Sequence, residues 1–471
     1  MLGFFRINDP YRLLILFLAV FLLRLPYLIG SEPLVYETNW LLIGEALNSG
    51  KVLYKDLISP IAPLSAWVYM IIEFVFGKSI LALQILSVLL VTYQFSLFNN
   101  IMLRNKAYNE NSYIPALIYA VMMFTFYDFF TLSPTLISLT FILLVLDNIY
   151  LRIENKLDDA TILKTGLFMG LAVLFYLPSI VFFVATILSF AMLTSLVLRR
   201  YLLFLYGFLF PFGIVFIYFF WQDGLKSLIF QWIEFSFLNQ VVPITDFRSM
   251  LIIIGLPVSV FLFSLYKTFA VGRFTNYQVR VQQVMFIMFL AALGCWWFSD
   301  ERAPYELLLF IPSFAFFITH FILQFNKKIR AEIFTFAFTI SLIVIGYSLY
   351  YQNTPLHHYG DLNKLQTSQN LYENLLNNKK VMILGAKSNI YREAKSVATK
   401  YLHPELSSKV LGDMSEKERL IHLYDDIDKH KPEVIIDLSG YFKDSLKEMP
   451  TIESQYSCKS KNVYQLINKE R

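Results

Sequence analysis

Residues 31–64 read SEPLVYETNWLLIGEALNSGKVLYKDLISPIAPL. This polar and aromatic stretch follows an apolar run. It is too long, and too rich in Glu, Asp, Tyr and Trp, for a simple connector between membrane spans. From Glu37 onward, the order ETNWLLIGEALNSG places Glu37, Trp40, Gly44 and Leu47 along a helix, with Gly50 as its C-terminal cap. Glu37 then stands at the helix start. The macrodipole there favours a carboxylate and lowers its proton affinity, which suits a base or a cation ligand and equally suits a plain helix cap.

The rest of the chain sets that stretch in a membrane. Of 471 residues, 56% are hydrophobic, 17% aromatic and only 16% charged, with a mean hydropathy of +0.54, against roughly 25% charged residues in soluble domains. The net charge of +5 does not point to nucleic acid, because the basic residues collect in short loops between apolar runs, where they set topology. No nucleic-acid partner is expected. Cys295 and Cys458 fall in segments of different character, so neither a disulfide nor a thiolate metal site is expected. The histidines show no ligand spacing, and no structural metal is expected.

Apolar runs of spanning length begin near Leu13, Ile80, Tyr113, Leu136, Thr165, Ser179, Tyr201, Leu251, Val281, Leu307 and Ile333, about eleven transmembrane helices in all. The first run carries Arg24 and ends in LPYLIG without a small-x-small cleavage pattern, so it reads as a retained helix. With a cytoplasmic N-terminus, fifteen cations fall inside: Arg6, Arg12, Arg104, Lys106, Arg152, Lys156, Lys164, Arg199, Arg200, Lys267, Arg273, Arg280, Lys327, Lys328 and Arg330. The opposite side receives only Lys51, Lys55, Lys78, Lys226, Arg248 and Arg302. Counting Ala62–Gly77 as a span would reverse every later loop. It reads better as an amphipathic or re-entrant helix at the outer face, with Glu73 turned toward protein or water.

This parity places Ser31–Lys78, Tyr127–Pro134, Trp221–Met250 and Ser299–Glu306 on the non-cytoplasmic side and exports everything after Tyr350. Nearly half of the charged residues lie in 351–471. Two domains are therefore expected: a transmembrane domain, 1–350, with an outer-face loop, 31–78, and an extracytoplasmic (periplasmic) α/β domain, 351–471. In the latter, 379–385, 431–437 and 462–467 read as short strands, with helical patterns at 393–401 and 416–429. The fold class is mainly α, polytopic, with a small C-terminal α/β layer. Asp437 ends a strand, where α/β sheets place ligand groups and where capping aspartates also sit.

Arg24-Leu25-Pro26-Tyr27-Leu28, Glu37 with Trp40, Gly50 through Asp56, and Pro60-Ile61-Ala62-Pro63-Leu64 together resemble the start of the multispanning GT-C glycosyltransferases, in particular the protein mannosyltransferase and aminoarabinose transferase group. Leu132-Ser133-Pro134-Thr135-Leu136 and Arg302-Ala303-Pro304-Tyr305-Glu306-Leu307-Leu308 resemble later segments of the same group. The resemblance covers roughly 1–350. It implies a glycosyltransferase of the bacterial cytoplasmic (inner) membrane that moves a sugar from a polyprenyl-phosphate-linked donor to an outer-face acceptor, which is a lipid, glycan or protein. Such chemistry needs an ionised carboxylate to activate the acceptor or hold a cation, and basic groups to stabilise the departing lipid phosphate.

The residues that match give Glu37 and Asp128 as candidate catalytic carboxylates. Tyr36, Trp40, Tyr54, Asp56 and Tyr305 are candidates for lining the substrate, and Lys78, Arg248 and Arg302 for meeting the phosphate. No cofactor is required, although a divalent cation shared by Glu37 and the donor phosphate is compatible with this set. Each has a structural alternative: Asp128 and Asp56 as solvated loop ends, and Arg302 as a partner of Asp300, Glu301 or Glu306. Gln231–Phe235 reads as an amphipathic segment on the outer leaflet, flanking a lipid tail or packing without one. The sequence departs from the family where Tyr36 and Ser133 replace expected acids. Those departures leave two alternatives: a catalytically degenerate GT-C-like scaffold or binding subunit of an envelope assembly complex, and a lipid-linked precursor transporter. The latter would need internal repeats, and none is present in the sequence.

Overall fold

The computed structural model describes the chain apart from residues 31–32, 154–157, 194–196, 239–244, 246, 272–273, 300–301, 352–375, 377–378, 385–395, 398, 404–405, 408, 411–415, 439, 461 and 468–471. The chain is mostly helical, with a short β-sheet near the C-terminus. Among the described residues, eight helices are long and apolar enough to cross a membrane: Tyr11–Gly30, Ile80–Arg104, Pro134–Ile153, Leu198–Trp221, Phe247–Ala270, Asn276–Phe298, Pro304–Leu323 and Lys328–Tyr350. The other expected spans are the shorter helices Ile114–Met122, Asp159–Phe175 and Leu177–Met192. This is an integral membrane protein.

The segment Pro63–Phe76 is a 14-residue helix that opens with proline at its first turn and ends at Gly77 with φ 64°. Fourteen residues are too few to cross. Ile71, Phe74, Val75 and Phe76 lie exposed, as on a helix resting at a membrane surface. Glu73 is hydrogen-bonded to the Asn48 amide.

The chain falls into two compact units. The first comprises Met1–Ser31, Leu81–Val215 and Gln240–Lys364, and the second Glu32–Ile80, Phe216–Asn239 and Leu365–Arg471. The second unit thus joins three stretches distant in sequence. Among the described residues its sheet has five strands, β1 (Lys380–Leu384), β2 (Ser396–Val397), β3 (Val434–Asp437), β4 (Tyr456–Ser460) and β5 (Val463–Leu466), in the order β2-β1-β3-β5-β4. β1 pairs parallel with β2 and β3, whereas β3–β5 and β4–β5 are antiparallel. The expected strands in 379–385, 431–437 and 462–467 are β1, β3 and β5, and the expected helix at 416–429 is Glu416–His430. The helix expected at 393–401 does not form in its described part: Ser396–Val397 is a strand, and Tyr401 bridges to Ile58. Backbone pairing at the sheet edge overrides local helical periodicity there.

Because side chains alternate along a strand, the sheet has two distinct faces. Val381, Ile383, Val434, Ile436 and Val463 share one face with Leu42 and Leu376. Met382, Leu384, Ile435 and Tyr464 share the other with Leu423 and Ile427 of the Glu416–His430 helix and with Ile58 and Phe235. Burial on both faces explains why β1 and β3 read as continuous apolar runs.

Candidate functional site

The second unit holds the first loop. Val35–Asn48 is a helix, and it ends as the sequence implies. Gly50 lies at φ 88°, its N–H donates to the Leu47 carbonyl at 3.0 Å, and the Lys51 N–H donates to Ala46 at 3.2 Å, the paired bonds of a Schellman cap. At the other end the Leu34 N–H donates to Glu37 Oε2 at 2.7 Å, the reach-back half of a capping box. Glu37 is fully buried, so its carboxylate performs the capping role that the sequence had left as one of two options. Tyr36 lies 5.2 Å from Trp40, which in turn stacks on Tyr69 at 5.2 Å. At Gly44 an added Cβ would lie 2.5 Å from the Tyr69 carbonyl oxygen, so the absent side chain is what lets the two helices meet.

Beyond the helix the loop folds on itself. Tyr54 is buried at a positive φ of 64°. Its hydroxyl donates to Ile61 O at 2.5 Å, and its carbonyl accepts from Gln231 Nε2 at 2.8 Å. Gln231 Oε1 accepts from the Ser59 N–H at 3.1 Å. Gln231 and Trp232 are therefore buried in a π-helical turn, Ile229–Glu234, and not spread on a leaflet as their amphipathic pattern suggested, because the loop offers backbone groups that Gln231 satisfies. Asp56 Oδ2 accepts from the Val52 N–H at 2.9 Å, and Oδ1 pairs with Lys429 at 3.4 Å. Burial pushes the Asp56 carboxyl upward, but the Val52 amide and Lys429 outweigh it and hold the group below its usual value. Lys78 pairs with Glu45 at 2.9 Å. Glu45 is raised by burial against the opposing pull of Lys78.

The first unit holds the remaining candidates. Asp128 is fully buried in a 3-10 turn, Tyr127–Phe130, so it is not a solvated loop end. Burial and the Asp128 charge push the Tyr127 phenol upward. This turn packs against a second 3-10 turn, Pro304–Phe310, which carries buried Tyr305 and Glu306. Arg302, just before it, adopts a left-handed φ of 44°. Its guanidinium lies 5.4 Å and 5.8 Å from the Trp296 and Trp297 rings, and its carbonyl accepts from Thr245 at 3.1 Å. Glu306 accepts from the Ser299 hydroxyl, while Asp300 and Glu301 lie outside the described residues. Arg248 is exposed at the start of Phe247–Val271. Ser133 caps the Pro134–Ile153 helix through its hydroxyl, 3.1 Å from the Leu136 nitrogen. A small apolar hollow lies beside these turns, lined by Met122, Thr125, Phe129, Ile254, Pro257, Leu307, Ile311 and Phe314.

Arg24 is the residue that sequence reasoning left without a role. Its side chain is fully buried. Its guanidinium donates to Ser87 Oγ at 3.3 Å and to the Phe129 carbonyl at 3.4 Å, and lies 4.4 Å from the Phe130 ring. It therefore ties the first span to the Asp128 turn. The signal was a lone arginine inside an apolar run, a costly placement that asks for a partner.

Among the described residues no group of three His, Cys, Asp or Glu side chains could hold a metal ion.

No family model matches the sequence, and no curated protein matches it. Solved structures do match. ArnT from Cupriavidus metallidurans bound to undecaprenyl phosphate superposes with a TM-score of 0.57 at 12% identity, covering 98% of this chain and 99% of that one. The apo state of the same protein gives 0.57 at 12%, covering 96% and 97%. At this identity the likeness is one of fold, and it extends through the membrane helices and the C-terminal layer alike. The expected architecture, mainly helical and membrane-spanning with a small C-terminal α/β layer, is borne out.

Proposed function

We propose that this chain is a GT-C-type membrane glycosyltransferase of the cytoplasmic membrane, moving a sugar from a polyprenyl-phosphate-linked donor to an acceptor on the outer face. The observation that carries this reading is the fold shared with ArnT, a protein solved with undecaprenyl phosphate bound, over nearly the whole of both chains. In the reaction, an acceptor hydroxyl attacks the anomeric carbon and the bond from that carbon to the phosphate oxygen breaks. The proton goes to a carboxylate, for which Asp128 and Glu37 are the candidates. Charge builds on the departing phosphate, and Arg302 is the cation proposed to meet it. Lys78 is held by Glu45 and serves that role less well.

A second reading, a non-catalytic scaffold, is favoured by one observation: Tyr36 occupies the expected acid position, and the adjacent Glu37 carboxylate caps its own helix. Glycolipid and glycoprotein profiles of a deletion strain decide between the two. A transferase predicts that a sugar modification disappears, returns with the wild-type gene, and fails to return with Asp128→Asn or Glu37→Gln, since loss of a general base slows transfer by about 10²–10⁴. Full complementation by both variants supports the scaffold and overturns carboxylate catalysis.

A further inference from the structure

The Val35–Asn48 helix is buried nearly all round, which a loop helix resting on a membrane surface would not be. At about 100° per residue, Glu37, Trp40 and Gly44 fall on one stripe, whereas Leu42 points about 200° away from Trp40. The stripe faces the Pro63–Phe76 helix, where Trp40 stacks on Tyr69 and Gly44 meets the Tyr69 backbone. Leu42 lies in the other direction, in one cluster with Val381, Ile383, Val434, Ile436 and Val463. The helix is thus sandwiched between its neighbour helix and the C-terminal sheet.

The grip extends past the helix. The Ile58 N–H donates to the Lys400 carbonyl at 2.8 Å, and Ile58 forms a parallel bridge with Tyr401. Lys51 Nζ reaches the Thr399 carbonyl at 3.4 Å, and Lys429 pairs with Asp56. The Ile58 side chain is buried against the opposite face of the sheet from Leu42. The first loop therefore holds the sheet from both sides.

We propose that the C-terminal α/β layer is a positioning element for the Glu37 helix, with Leu42 as the positioning residue that transmits the sheet's constraint. An apolar contact on the far side of a helix fixes its rotation and its distance from a neighbour, because packed interiors yield little. The sheet face so occupied is then not free to bind a ligand or partner. The layer acts on the reaction by holding the helix that carries Glu37. This inference rests on the transferase reading for its catalytic consequence, but not for the mechanical one.

The test uses the full chain in lipid nanodiscs. Leu42→Ala and Ile383→Ala each truncate a side chain of the shared cluster, one from the helix and one from the sheet, and Leu423→Ala, in the cluster on the opposite face, controls for general loosening of the layer. Amide exchange across residues 35–48 is expected to rise about tenfold in either of the first two variants, with a less than additive rise in the double variant, since both loosen one cluster. Leu423→Ala is expected to leave exchange in that helix unchanged. Turnover of undecaprenyl-phosphate-linked sugar should show kcat falling with KM for the donor retained in Leu42→Ala and Ile383→Ala. Unchanged exchange in 35–48, or an equal rise in Leu423→Ala, overturns the proposal, as does raised exchange with unaltered kcat. Absence of turnover in the wild type overturns the transferase reading alone, and the exchange result then still decides the mechanical claim.

Discussion

Arg24 and Asp56 show how single side chains organise segments that pattern reading treats as loops. Arg24 is a cation inside a membrane helix, satisfied by a hydroxyl, a carbonyl and the face of Phe130 and not by a carboxylate ion pair among the described residues. Arg24→Met leaves those acceptors without their donor and is expected to cost about 1–3 kcal/mol, read as a lowered thermal midpoint of the solubilised protein and faster exchange in Tyr127–Phe130. Arg24→Lys should recover only part of this, because an ammonium cannot span both acceptors and stack on the ring. An intact Tyr127–Phe130 turn in Arg24→Met would show that the arginine does not hold it. Asp56 has a depressed pKa in the folded chain, so its contribution is present above the ordinary carboxylate value of roughly 4 and is lost as pH falls through the lower folded value. Limited proteolysis of residues 50–60 should therefore accelerate in acid for the wild type. Asp56→Asn should be cut faster at neutral pH and change little with acid, and a wild type insensitive to acid would refute the assignment.

Among the elements, helix contacts without side chains are the sharpest. Gly166 and Gly207 face each other's helices across Asp159–Phe175 and Leu198–Trp221. A Cβ on Gly166 would lie 2.1 Å from the Phe204 carbonyl oxygen, and one on Gly207 would lie 2.3 Å from that of Leu163. Both obstacles are backbone, so the helices would have to separate. Gly166→Ala or Gly207→Ala is expected to lower the yield of folded, monodisperse protein, while Gly213→Ala, with nothing within 4 Å, should leave it unchanged or slightly improved. Equal yields for all three would show that the close approach is not needed. The helix-capping elements were legible in sequence for a local reason: Gly50 and Glu37 act within one turn of their own backbone. The fate of Gln231 was not legible, since the groups it satisfies belong to residues 54 and 59.

At the scale of the whole molecule, the second unit gathers 32–80, 216–239 and 365–471, and the C-terminal sheet is completed by Leu42 and Ile58 from the first loop. Residues 365–471 expressed alone should therefore expose an apolar sheet face, bind a hydrophobic dye and lack near-ultraviolet dichroism despite retained secondary structure. A rigid, dye-free fragment would refute that dependence. By itself the sequence determined the membrane class, the runs that become helices, three of the five strands, and the loop that carries Glu37. It could do so because hydrophobic periodicity, caps and charge bias are properties of neighbouring residues. Only the tertiary structure decided that Asp128 is buried in a turn tied down by Arg24, that Ser396–Val397 pairs at a sheet edge, and that the first loop and the C-terminal layer share their cores. Those outcomes depend on contacts between residues tens to hundreds of positions apart, which no local pattern encodes.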